Sequence, residues 1–179
     1  INGFIAKPFF SSSFYNWLSD PSIKENKDRD KDIVVQENTK KKRVLLAEDN
    51  EFNAEVAQDF LDMAGYTAEV VGDGAQAVKA FETHEPDYYS MIFMDIQMPV
   101  MNGLEAAQMI RALLREDAHT IPIVAMTANA FEEDREKSYE AGMNGYLAKP
   151  VSAEALINTI DKIMKDNWQN INRYVYKWM

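Results

Sequence analysis

The chain has 179 residues, 29 acidic and 19 basic, for a formal net charge of −10, which argues against nonspecific nucleic-acid binding by this chain alone. It contains no cysteine, so disulfides and thiolate metal sites are excluded, as suits a cytoplasmic protein. No apolar stretch reaches bilayer length and no signal peptide opens the sequence, so one cytoplasmic domain with flanking segments is expected.

The N-terminal run Asn2-Gly3-Phe4-Ile5-Ala6-Lys7-Pro8 matches Asn144-Gly145-Tyr146-Leu147-Ala148-Lys149-Pro150 at nearly every position. Residues 1–20 therefore read as the last strand and helix of a preceding domain copy, with Phe10, Phe14, Trp17 and Leu18 on one helix face. Residues 21–41 are polar and charge-rich and read as a linker. The compact domain is expected over 42–166.

Within it, short apolar runs predict strands at 43–47, 67–71, 90–94, 121–126 and 145–148. Helix patterns separate them. The first helix, 51–63, places Val56, Phe60 and Met63 on one face and stops at Gly65. The second starts at Asp73, with Gln76 three residues on as a capping-box pattern, and turns Ala77, Val78 and Phe81 inward. The third follows Asn102-Gly103, carries Glu105 in its first turn and turns Leu104, Ile110 and Leu114 inward. The fourth spans about 131–141 and stops at Gly142. The fifth starts near Ser152 and turns Leu156, Ile160 and Ile163 inward. Five strand–helix units predict an α/β fold, a doubly wound parallel sheet with helices on both faces. In the tail, 167–179, Trp168, Ile171, Val175 and Trp178 recur at helical spacing. Extension of the last helix and packing on the N-terminal segment both stay open, and self-association through residues 1–20 or 167–179 is expected.

The strand ends carry the chemistry. Glu48 and Asp49 follow the first strand, Asp95 the third, Thr127 the fourth and Lys149 the fifth. In a parallel sheet the working site lies outside the carboxyl ends of the strands. Taken singly, an acidic pair after a strand is ordinarily a solvated turn, a threonine a cap, and Tyr146 a half-buried core aromatic. Met94, Met98, Met101 and Met126 read as packing residues. It is the joint placement that points to a site. Gly72-Asp73-Gly74 lacks the third glycine of a dinucleotide fingerprint, and there is no P-loop. His84 and His119 read as surface histidines without a phosphodonor context.

Four motifs, Leu45-Leu46-Ala47-Glu48-Asp49-Asn50, Met94-Asp95-Ile96-Gln97-Met98-Pro99-Val100-Met101-Asn102-Gly103, Met126-Thr127-Ala128 and Ala148-Lys149-Pro150, stand in the order and spacing of a known family. The sequence resembles the receiver domains of two-component response regulators, and is most similar to the C-terminal receivers of hybrid sensor histidine kinases. The resemblance implies a flavodoxin-like (βα)5 fold with strand order 2-1-3-4-5. It implies that Asp95 accepts a phosphoryl group from phosphohistidine. It implies a Mg²⁺ (or Mn²⁺) ion held by Asp49, Asp95 and the backbone carbonyl of Gln97, with Glu48 acting directly or through water. Lys149, before a cis Pro150, and Thr127 would contact phosphoryl oxygens. Thr127 and Tyr146 would switch the face formed by the fourth helix, fifth strand and fifth helix.

The partners implied are a histidine kinase core or a histidine phosphotransfer protein. Neither nucleic acid nor membrane is expected to contact this fragment. It is not expected to be a kinase by itself, although the parent would be a histidine kinase, itself open to membrane anchoring. Two alternatives stand beside this reading. An aspartate-nucleophile phosphohydrolase would place a second Asp where Gln97 stands. A partner-binding pseudo-receiver would have lost the acidic pair, the acceptor or the lysine, and all are present.

Overall fold

The computed structural model describes residues 42–128 and 132–175, without the side chains of 132–133 and 166–175. The chain divides into two units, 1–38 and 39–179. The expected domain remnant at 1–20 and the linker at 21–41 lie outside the described residues, as do Phe131 and the end of the tail.

Five strands, β1 (Lys42–Ala47), β2 (Tyr66–Val71), β3 (Met91–Asp95), β4 (Ile123–Thr127) and β5 (Gly145–Ala148), form one sheet in the order β2-β1-β3-β4-β5. Every pairing is parallel. The helices are α1 (Glu51–Met63), α2 (Gly74–Thr83), α3 (Gly103–Ala112), a short α4 (Glu116–Thr120), α5 (Glu132–Glu140) and α6 (Ala153–Val175). The flavodoxin-like order is as expected. The short α4 is an addition, inserted where the sequence shows no apolar period.

The alternation of side chains along each strand splits the core in two. Leu45, Ala47, Ile92, Met94, Ile123 and Ala125 face α2 and α3, where Ala77, Phe81, Ala106 and Ile110 meet them. Val44, Leu46, Phe93, Val124 and Met126 face the opposite way, onto Ala57 and Leu61 of α1 and Leu156, Ile160 and Ile163 of α6. Both faces are covered, so β3 and β4 are buried along their whole length. Each large side chain so buried contributes about 2 kcal/mol.

Two inward faces and one histidine differ from expectation. On α1 the buried residues are Ala54, Ala57 and Leu61, and Val56, Phe60 and Met63 are only partly covered. Two alanines let the helix lie close to the sheet, and their low hydropathy hides that face from a periodicity reading. On α3 the helix ends at Ala112, Leu113 is extended, and Leu114 is fully exposed rather than inward. His84 is not a plain surface residue. It stacks on Tyr88 with ring centroids 4.0 Å apart, and its Nδ1 lies 2.8 Å from the Ala80 carbonyl oxygen. Gly65 and Gly142 follow the ends of α1 and α5, where helix stops are expected, and both have positive φ.

Arg111 ties the lower half of the fold together. Its guanidinium donates to the carbonyls of Gly142, Ala118 and Ile121 and to Asn144 Oδ1. Asn144 in turn accepts the Ile123 N–H at 2.9 Å and so registers the turn before β5 on β4. The backbone of α6 runs on through Val175, so the start of the tail continues that helix. Among the described residues no helix is long and apolar enough to cross a membrane.

Candidate functional site

Register brings the strand ends to one edge. Ala47 pairs with Met94, Asp95 with Met126, and Thr127 with Ala148. The ladder continues one step past the strands, with Ile96 N–H donating to Met126 O at 3.0 Å and Lys149 N–H to Thr127 O at 2.7 Å. Glu48, Asp95, Thr127 and Lys149 therefore emerge together, at the point where the chain order reverses between β1 and β3. Asp95 is itself the last residue of β3, and Thr127 the last of β4.

Asp95, Glu48 and Thr127 are buried, whereas Asp49 is exposed. Glu48, Asp49 and Asp95 can each offer a carboxylate oxygen such that all three lie within 4.8 Å of one another. The Lys149 ammonium bridges two of them, donating to Asp95 Oδ2 at 2.6 Å and to Glu48 Oε2 at 2.5 Å. The second oxygen of Asp95 accepts the Gln97 N–H at 3.2 Å, and Glu48 Oε1 accepts from Asn53 Nδ2 at 3.0 Å. Burial pushes the Asp95 carboxyl above the usual carboxylate range, against the pull of Lys149. Burial also works against the Lys149 ammonium, but its two carboxylate partners outweigh it and hold that pKa above its ordinary value. The donor set is all oxygen, with no sulfur or imidazole. That chemistry fits a hard divalent cation, and the exposed Asp49 gives such an ion a way in.

The loop after Asp95 is pinned by two glycines at helix starts. Gly103 N–H donates to Ile96 O at 3.0 Å, and Gly74 N–H to Met101 O at 3.1 Å. A Cβ at Gly103 would lie 2.1 Å from the Asp95 carbonyl oxygen, and one at Gly74 2.6 Å from that of Met101. Only glycine lets α2 and α3 press so closely on this loop. Asn102 caps α3 in a complete capping box with Glu105. At Asp73 the cap differs from the expected box. Its carboxylate accepts both the backbone N–H and the side-chain amide of Gln76.

Tyr146 on β5 is half-buried, with the Arg135 guanidinium 4.1 Å above its ring centroid. The Lys149–Pro150 bond is cis, as expected. Met94 and Met126 are core residues, and Met98 and Met101 pack against the core. Sequence reasoning missed Asn53, Arg135 and Gly74. The signal for the first of these is an Asn three residues after Asn50, which caps α1.

Residues 44–161 match the family model described as response regulator receiver domain. The peroxide stress-activated histidine kinase mak1 of Schizosaccharomyces pombe is 40% identical over 122 residues, covering 68% of this chain. The chain spans only 7% of that relative's length. The receiver domain of sensor histidine kinase PA1611 from Pseudomonas aeruginosa, solved with magnesium in its active site cleft, is 40% identical with a TM-score of 0.62, over 69% of this chain and 98% of that one. The receiver domain of Saccharomyces cerevisiae Ssk1, solved with the histidine phosphotransfer protein Ypd1, aligns at 32% identity and a TM-score of 0.57, over 65% and 83% of the respective chains. With a family match over residues 44–161 and a solved receiver domain that is 40% identical over most of the sheet, the chain belongs to the response regulator receiver domain family.

Proposed function

We propose that Asp95 is the phosphoacceptor of this receiver. Its Oδ2 attacks the phosphorus of a phosphohistidine. The P–N bond breaks as a P–O bond forms, and the imidazole leaves carrying the electron pair. The observation that carries this reading is the buried Asp95 at the sheet edge, joined through Lys149 to Glu48 and clustered with Asp49. Asp49, Asp95 and the Gln97 carbonyl would hold Mg²⁺, with Glu48 acting directly or through water. When bound, that ion neutralises the carboxylates and the incoming phosphoryl oxygens. Lys149 orients Asp95 before reaction and afterwards contacts a phosphoryl oxygen. Thr127, at the end of β4, donates its hydroxyl to another.

The switch would run from Thr127 to Tyr146 and bias the face formed by α5, β5 and α6. Its supporting features are the half-buried Tyr146 and a polar α5, whose buried Ser138 donates its hydroxyl to the helix's own Asp134 carbonyl at 2.7 Å. The phosphodonor would be a histidine kinase core or a histidine phosphotransfer protein. It would approach the cleft beside Lys149 that Phe52, Val56, Pro150 and Val151 line. The parent is proposed to be a hybrid histidine kinase, with this fragment acting in the cytoplasm and 1–20 as the remnant of a preceding receiver-like domain.

A small-molecule phosphoryl donor with Mg²⁺ tests the reading. The expected product is an acyl phosphate that neutral hydroxylamine cleaves. A hydroxylamine-stable adduct, or none, contradicts it.

A further inference from the structure

The first turn of α1 holds a residue that neither the motifs nor the proposed mechanism uses. Asn50 caps this helix by accepting the Asn53 N–H at 3.1 Å. In a capping box the side chain at that third position returns to the cap's own backbone. Glu105 does this in α3. In α1 the Asn53 amide is sent instead to Glu48 Oε1, 3.0 Å away.

Glu48 is only 3% exposed. One of its oxygens is taken by Lys149 and the other by Asn53. A carboxylate held at one oxygen can turn about its last bond. Held at both, it has one orientation. Without the Asn53 donor, Glu48 either rotates toward Lys149 or leaves a buried acceptor without its partner. The first outcome moves a donor of the three-carboxylate cluster, and the second leaves it free to move.

We propose that Asn53 is a positioning residue for the cation site, acting through Glu48 and not on the ion. This inference rests on the Mg²⁺ reading of the site. Residues that orient a metal's donors through a hydrogen bond are typically worth about 10–100-fold in metal affinity. Glu48 keeps its bond to Lys149 when Asn53 is lost, so the lower end, about 10-fold, is expected.

The test is a calorimetric titration of the full chain with MgCl₂, using wild type, Asn53→Ala, Glu48→Gln and the double variant. Asn53→Ala should weaken Mg²⁺ binding about 10-fold. In the Glu48→Gln background the same change should cost less than about twofold, because the coupling runs through Glu48. Melts in EDTA check the fold. Alanine at this exposed helix position favours the helix while the lost bond to Glu48 opposes it, so a cooperative metal-free melt within about 8 °C of wild type is expected. Asn53→Leu, which also lacks the donor, carries the same prediction should the alanine variant misfold. Unchanged Mg²⁺ affinity in Asn53→Ala, or an equal loss in both backgrounds, overturns the inference while leaving the site intact. A wild-type chain that binds no Mg²⁺ overturns the site reading and this inference together.

Discussion

Gly103→Ala should damage both the fold and the site, through a single contact. The added methyl would start 2.1 Å from the Asp95 carbonyl oxygen, with the Asp95 carbonyl carbon and Met94 Cγ both at 2.9 Å. A carbon rests comfortably about 3.3 Å from such an oxygen, so α3 or the end of β3 must shift by about 1.2 Å. The obstruction is backbone, which cannot swing aside as a side chain does. The cost should therefore reach the upper end of overpacking, about 3 kcal/mol, or about 10 °C in Tm for a domain of this size. A displacement of about 1 Å at a reacting group can cost about 100-fold in rate, and phosphoryl uptake should fall to that degree. Gly65→Ala is the control. Gly65 has φ +84° but nothing within 4 Å of the added methyl, so only left-handed strain of about 1 kcal/mol is expected, with uptake unchanged. Thermal melts and a phosphorylation time course of both variants decide. A Gly103→Ala variant that melts within about 2 °C of wild type, or an equal loss of uptake in both variants, would refute the clash with the Asp95 backbone as the cause.

Three further expectations follow from other contacts. Asp49→Ala should abolish the Mg²⁺-dependent rise in Tm while leaving the metal-free Tm equal or higher, because one carboxylate of a crowded cluster is gone; an unchanged Mg²⁺ response removes Asp49 from the site. Arg135→Gln should free the Tyr146 ring and raise the affinity for beryllofluoride about 2–5-fold, the equivalent of an exposed cation–π contact of about 0.5–1 kcal/mol; equal affinities would show that the stacking does not bias the switch. Asp117 is held below the usual carboxylate range mainly by its paired bonds to Arg115, against its burial. The stability it contributes is present above about pH 4 and is lost as pH falls through the depressed value. Asp117→Asn should thus be less stable than wild type at neutral pH and converge with it in acid, and parallel melts that never converge would contradict this.

The features legible in the sequence are those that local chemistry decides. Short runs such as Met91-Ile92-Phe93-Met94, set between helix-patterned stretches, read as buried strands between two helical layers, and the charged residues after them mark one sheet edge. Gly65 and Gly142 mark where two helices stop, and the apolar run 145–148 has the bounds of β5. What stayed hidden depends on closeness between distant segments. Ala54 and Ala57 carry the buried face of α1 because they are small, a property that hydropathy undervalues. Leu114 reads as core until α3 is seen to end at Ala112. His84 looks like a helix-end surface residue until Tyr88 and Tyr89 close on it. The contacts of Asn53 with Glu48 and of Arg135 with Tyr146 join residues whose spacing carries no motif.

In the proposed function one carboxylate, Asp95, takes the phosphoryl group and needs a divalent ion to do so. Intact-mass measurement of wild type and Asp95→Asn tests it most directly, after incubation with a small phosphoryl donor in Mg²⁺ or in EDTA. Wild type in Mg²⁺ should gain a single phosphoryl increment, and the other three samples none. Equal modification of wild type and Asp95→Asn, or of wild type with and without Mg²⁺, would contradict the account.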